Sequence, residues 1–235
     1  MTGAGGPLRE SRVVSSHMDL GDVSGRVLFP TLTQGPWLPF LRFAETTSTG
    51  GRDDSGGHHH KGEEVMNYVV EGRVEYEDDV DRRSIIDQGS IALLIAREEA
   101  HHNLIPSPGS KSRWLSVVVK CPPTVGGPAH GVNLSTGPNP TQTSEGTFER
   151  RLVGRNAPIP SASGLECVEI EFREDSQCVC PIGPERRGVA YLFDGTGSID
   201  GQRVDAGAAV LTENSLELTL RGASGCRILL VSAPR

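Results

Sequence analysis

The feature that most constrains this chain is an alternation running through residues 58–78. Even positions read His58, His60, Gly62, Glu64, Met66, Tyr68, Val70, Gly72, Val74 and Tyr76. Odd positions read His59, Lys61, Glu63, Val65, Asn67, Val69, Glu71, Arg73, Glu75 and Glu77. The first set is largely apolar with His and Glu added; the second is largely charged. A period of two belongs to half-buried strands, here with a bend near Glu71-Gly72. The even set is therefore expected on the inner face. The same parity returns in Val168, Ile170 and Phe172, and again in Leu216, Leu218 and Leu220. Turn signals separate these runs: Gly50-Gly51, Gly56-Gly57, the Pro-Ser-Pro-Gly stretch at 106–109, and Asp200-Gly201, a hairpin signature. No segment carries helical amphipathicity over three turns. Many short strands at even spacing predict an all-β sandwich or barrel with short helices at most.

Residues 122–148 interrupt the pattern with a Pro-, Gly-, Ser- and Thr-rich composition that reads as an irregular connector. It separates an N-terminal part, 1–121, from a C-terminal part, 149–235. The two look like weak repeats. Tyr68-Val-Val-Glu-Gly72 lies over Tyr191-Leu-Phe-Asp-Gly195, and Gly89 lies over Gly207. A duplicated β unit predicts two barrels.

Composition narrows the function. The formal net charge of −7 argues against nucleic acid, whose binding rests on neutralising phosphates with Lys and Arg, and against an anionic membrane surface. No apolar run approaches the roughly 18–20 residues of a spanning helix, and the first 30 residues lack the pattern of a signal peptide, so a cytoplasmic location is expected. The five cysteines are odd in number and not spaced as a disulfide framework. Cys178-Val179-Cys180 invites a metal or redox reading; the plainer one is that two residues of a strand share one face.

The chemistry concentrates at His58-His59-His60. Two residues apart on a strand, His58 and His60 point the same way and His59 points opposite. Glu64 shares their parity. Two imidazoles and a carboxylate converging inside a barrel begin a transition-metal site. A further ligand is expected from His101 or His102.

These residues resemble the pirin family of two-barrel cupins, whose pattern is His-Pro-His-Arg-Gly-Phe-Glu-Thr followed by Tyr-x-x-Glu-Gly. His58, His60, Gly62, Glu64, Tyr68, Glu71 and Gly72 match without gaps. A second family block, Gly-Asp leading to His-x-Glu-Met-Pro, resembles residues 89–106, with Gly89 and Pro106 at its ends and His102 on the metal-binding His. The resemblance implies a bicupin with its metal in the N-terminal barrel: His58, His60 and His102 as ligands, Glu64 as the expected fourth, and His101 as the alternative third. The family usually supplies a Glu two residues after that last His, where this chain has Leu104. In the C-terminal half the weak repeat puts Pro181, Gly183 and Leu220 on the three His positions, so that barrel is expected to lack metal ligands.

The resemblance implies one divalent transition metal, Fe(II) first, with Mn, Co, Ni, Cu or Zn as alternatives. It implies a small-molecule substrate and a quercetinase-like dioxygenase acting on a flavonol or a similar enolic or phenolic compound. In that reading Glu64, where it is not a ligand, accepts the substrate proton, and Met66, Tyr68, Tyr76 and Leu104 line the substrate pocket. Two other readings follow from the same residues. One is a metal- or redox-responsive regulator that binds a partner protein. The other is a non-oxidative isomerase or lyase.

Overall fold

The computed structural model describes residues 9–11, 18–19, 23–31, 35–50, 57–79, 83–122 and 130–235. Among these residues the protein is entirely β, and it divides into two compact units. One unit spans residues 14–137. The other combines residues 1–13 with 138–235.

Counting strands along the chain, β1 (Arg9–Ser11) belongs to the second unit. The first unit holds β2 (Met18–Asp19), β3 (Val23–Phe29), β4 (Phe40–Ser48), β5 (His58–His60), β6 (Glu63–Glu71), β7 (Arg73–Asp78), β8 (Arg83–Asp87), β9 (Ile91–Ala96), β10 (Ala100–Pro106), β11 (Ser112–Lys120) and β12 (His130–Ser135). They form a seven-stranded sheet in the order β12-β9-β6-β11-β4-β3-β2 and a four-stranded sheet in the order β5-β10-β7-β8. The second unit adds β13 (Thr141–Ser144), β14 (Thr147–Val153), β15 (Glu166–Phe172), β16 (Ser176–Pro181), β17 (Arg186–Asp194), β18 (Thr196–Ile199), β19 (Gln202–Asp205), β20 (Ala208–Glu213), β21 (Glu217–Gly222) and β22 (Cys226–Pro234). Its sheets run β1-β20-β17-β22-β15-β14-β13 and β16-β21-β18-β19. Strand for strand the two orders correspond, which is the duplication expected from the Tyr-x-x-(Glu/Asp)-Gly repeat.

Two expectations about organisation need correcting. Of residues 122–148, 123–129 lie outside the described residues, and the rest are not an irregular connector throughout: β12 pairs with β9, and β13 pairs with β14. The division also falls at Gly137/Pro138, and Arg9–Ser11 lies along β20, where it takes the sheet position that β12 takes beside β9. Three residues are too few for a periodic signal, so an edge strand borrowed from the far end of the chain leaves no trace in composition.

Each barrel is filled by apolar side chains from both of its sheets. In the first, Val65, Leu94, Ala96, Ala100 and Val118 form one cluster. Val69, Val74, Tyr76, Ile86, Ala92, Leu104 and Trp114 form another. Burial of each large side chain is worth roughly 1.5–3 kcal/mol. These clusters fix which face of each strand points inward, and they revise the alternation of residues 58–78. On β7 the even residues Val74 and Tyr76 are inside, but on β6 the odd residues Val65 and Val69 are. The phase slips at two glycines, Gly62 and Gly72, held at φ +66° and +73°. At Gly72 a Cβ would also run into the Lys111 carbonyl oxygen. The slip was hidden because β6 is buried on both faces, so Met66, Tyr68 and Val70 form an apolar row of their own.

Candidate metal centre

The ligand candidates come from the four-stranded sheet of the first barrel. β5 and β10 run antiparallel, with His58 opposite His102, His59 opposite His101 and His60 opposite Ala100. Directly opposed residues project to the same face. His58, His60 and His102 therefore share one face, and His59 and His101 share the other. The rings agree: centroids lie 4.7 Å apart for His58–His60, 4.9 Å for His58–His102 and 5.0 Å for His60–His102. One nitrogen from each of the three lies within 4.8 Å of the other two. His101 meets His59 edge to face instead, at 4.9 Å between centroids, and His59 reaches Glu99 at 3.3 Å.

The electrostatics suit a ligand set. His60 and His102 are buried, whereas His58 is exposed and leaves the cluster open to solvent. Burial, reinforced by His60, His58 and His101, lowers the His102 pKa to about 3. His102 is therefore neutral at ordinary pH and its lone pair is available. Neither nitrogen of His102 and not Nε2 of His60 has a hydrogen-bond partner among the described residues. Leaving these buried ring nitrogens unmatched is costly, and one ion accepting a single lone pair from each ring would satisfy His60 Nε2 and one of the two nitrogens of His102. The residues fit a divalent transition metal of the kind that imidazole binds.

The carboxylate at this site is Glu63, not Glu64. Glu63 Oε2 lies 2.5 Å from His60 Nδ1. If Nδ1 carries the proton and donates it to that carboxylate, Nε2 faces the cluster as a free donor, the usual device for orienting a metal-binding imidazole. Glu64 alternates to the opposite face of β6. It is fully buried there, and its charge joins burial in raising the Cys121 thiol pKa. The even-parity reading of the sequence puts Glu63 on the outer face. The turn at Lys61-Gly62 was the signal that the phase could change.

The expected pocket divides in the same way. Tyr76 is 5.7 Å from the His102 ring between centroids, and Leu104 is directly opposite Tyr76 on the ladder. Met66 and Tyr68 lie on the other face of β6 from Val65 and Val69 and do not line this site. Leu104 follows His102 by two residues on the same face, so the position that carries a Glu in the pirin pattern presents a hydrocarbon.

Backbone register corrects the assignment of the second barrel. Ser107 N–H donates to the Arg73 carbonyl, and Ala223 N–H makes the same bond to Thr196. Tyr76 opposes Leu104 as Ile199 opposes Leu220. Leu220 is thus the counterpart of Leu104, and Leu218 that of His102. Cys180 lies opposite Leu218, where His58 lies opposite His102. Ile182, bonded through its N–H to the Leu216 carbonyl, stands in place of His60. The counterparts are Cys180, Ile182 and Leu218 rather than Pro181, Gly183 and Leu220, and all three belong to the second barrel's apolar core. Differences in turn length on either side of these strands displaced the sequence alignment.

No family model matches the chain, and no curated protein does. Solved structures do. GK1651 from Geobacillus kaustophilus is 19% identical with a TM-score of 0.81, covering 98% of this chain and 96% of that one. The bacterial pirin YhhW from Escherichia coli, solved in complex with nickel(II), is 16% identical with a TM-score of 0.82, covering 97% and 98%. Quercetin 2,3-dioxygenase from Acinetobacter baumannii is 16% identical with a TM-score of 0.78, covering 97% of this chain and 77% of that one. The resemblance first seen in the His-x-His block extends, as a fold, over nearly the whole chain.

Proposed function

We propose, on the premise of a pirin-type bicupin fold, that this protein is a metal-dependent oxygenase acting on a flavonol or a similar enolic or phenolic compound. The observation that carries the reading is the cluster of His58, His60 and His102, two of them buried with unmatched ring nitrogens. An Fe(II) ion held there supplies Lewis acidity towards an ionising hydroxyl and the redox chemistry for dioxygen. The chain's own residues do the rest. His102 stays neutral because burial disfavours its charged form. Glu63 holds His60 by its Nδ1 and keeps Nε2 turned to the cluster. Tyr76 and Leu104 make an apolar wall beside His102 suited to a flat ring. Three neutral imidazoles leave the ion's positive charge uncompensated by a direct ligand, which favours an anionic enolate or phenolate over a neutral substrate. Glu64, buried on the opposite face of β6, is not the group that accepts the substrate proton.

The hydrocarbon at Leu104 favours one second reading, a non-oxidative isomerase or lyase that uses the same Lewis acidity. Oxygen consumption by the iron-loaded protein over a flavonol panel separates the two. Substrate-dependent uptake supports the oxygenase. Stoichiometric metal with turnover but no uptake supports the second reading. Stoichiometric metal with neither fits the metal-responsive regulator.

A further inference from the structure

The second barrel carries a thiol pair that the proposed reaction does not use. β16 is the edge strand of its four-stranded sheet and pairs with β21. Cys178 and Cys180 project from one face of it, with their Sγ atoms 3.7 Å apart. Cys180 is buried and Cys178 half-buried. Cys180 stands at the register position of His58, and the positions of His60 and His102 are Ile182 and Leu218. Where the first barrel gathers three imidazoles, the second keeps two sulfur donors among hydrocarbon. Cys180 also lines a small cavity together with Glu149, Arg151, Glu166 and Ser232.

We propose that Cys178 and Cys180 bind a soft, thiophilic monovalent cation of the Cu(I) class. Metal–thiolate bonds run to about 2.3 Å, so two of them ending on sulfurs 3.7 Å apart meet at roughly 107°. A two-coordinate Cu(I) ion sits nearly in line between its sulfurs, about 4.6 Å apart at that bond length, so side-chain rotation parts the pair by roughly 0.9 Å on binding. A disulfide needs Cα atoms about 4.4–6.8 Å apart, and same-face neighbours on a strand, two rises of about 3.3 Å apart, sit at the upper limit. Closing one bends β16 off its ladder with β21. The neighbours then select the ion. Leu218, Leu220 and Ile182 offer no donor atoms, and among the described residues no carboxylate, the cavity's Glu149 and Glu166 included, joins both sulfurs in a metal-sized cluster, so the pair suits a metal content with few ligands, as Cu(I) is, better than Zn(II), which takes four. Binding converts two thiols and Cu(I) into a bis-thiolate complex of net charge −1 and releases two protons. Arg151, on the rim of the same cavity, is already paired with Glu149 at 3.2 Å, so the complex carries its negative charge beside an ion pair rather than a free cation.

The test is competition for Cu(I) against a chromophoric chelator, using the reduced full-length protein without oxygen, together with X-ray absorption at the copper edge. His58→Ala serves as the background, so that failure of the imidazole site and failure of the thiol site read out separately. One Cu(I) per chain with two sulfur scatterers is the expected result. Cys178→Ser and Cys180→Ser should each weaken it by more than the ~100-fold that loss of an outer-shell partner can cost. Cys178→Ser, at a half-buried position, guards against a folding artefact at Cys180. Copper with only nitrogen and oxygen scatterers, or retention by the serine variants, overturns the proposal. So does a chain that fails to hold Cu(I) but is oxidised by peroxide to a Cys178–Cys180 disulfide, which marks a redox dithiol instead.

Discussion

Replacing Glu63 by Gln, with Glu64→Gln beside it, separates two carboxylates that are adjacent in sequence and opposite in space. Glu63 Oε2 is 2.5 Å from His60 Nδ1 and its side chain is 25% exposed, whereas Glu64 is fully buried on the other face of β6. The amide keeps an acceptor for Nδ1–H but removes the charge that strengthens the bond and makes His60 a better donor. Loss of such an outer partner typically lowers metal affinity 10–100-fold, about 1.4–2.7 kcal/mol. Partial exposure of Glu63 points to the lower half of that range. Glu64→Gln should leave metal affinity within about twofold, because Glu64 has no part in the cluster. Its effect falls on Cys121, whose thiol pKa Glu64 helps to raise, so the Cys121 thiol should titrate lower. The assay is chelator competition at fixed pH on both variants, with melting curves of the metal-free proteins to confirm folding. A loss of affinity in Glu64→Gln with none in Glu63→Gln refutes the phase slip at Gly62 and restores the even-parity reading.

Four further outcomes are expected. His102→Ala abolishes stoichiometric metal binding while His101→Ala retains it; equal losses in titration calorimetry contradict the β5–β10 register. The metal-free protein loses stability as the pH falls from about 6.5 towards 3, because the unfolded chain protonates His102 there and the folded chain does not. The cost is on the order of 4 kcal/mol at most, read by urea unfolding across that window, and it should shrink in His102→Ala. Leu104→Glu buries a carboxylate, so it destabilises the metal-free protein by several kcal/mol, and a divalent metal should raise its melting temperature more than it raises that of the wild type. Cys178, whose pKa is lowered by its hydrogen bond with Cys180, is alkylated ahead of Cys121, Cys167, Cys180 and Cys226, all of them buried and all with raised pKa; peptide mass mapping after brief iodoacetamide treatment checks the order.

Much of the fold was legible because it is written in periodicity. Tyr68-Val-Val-Glu-Gly72 and Tyr191-Leu-Phe-Asp-Gly195 lie at the same place in the two barrels, and the all-β class follows from alternation and turn residues. The pairing of His58 with His60 was legible for the same reason, since two residues apart on a strand share a face. What lay beyond the sequence is phase across turns. Strand alternation carries no information through a glycine at positive φ, so Gly62 and Gly72 could exchange the roles of Glu63 and Glu64 and send Met66 and Tyr68 away from the site. The strand at Arg9–Ser11 and the counterparts Cys180, Ile182 and Leu218 were unreadable for a related reason. Both depend on which backbone groups pair across the sheet, and pairing between distant segments leaves little mark on either one.

The central claim is a metal centre built on His58, His60 and His102. Its most direct test is elemental analysis of the purified, iron-reconstituted protein beside the His60→Ala and His102→Ala variants. The account predicts close to one ion per chain in the wild type and none in either variant, with all three proteins folded. A wild-type chain that holds no metal after reconstitution, or variants that hold as much as the wild type, would contradict it.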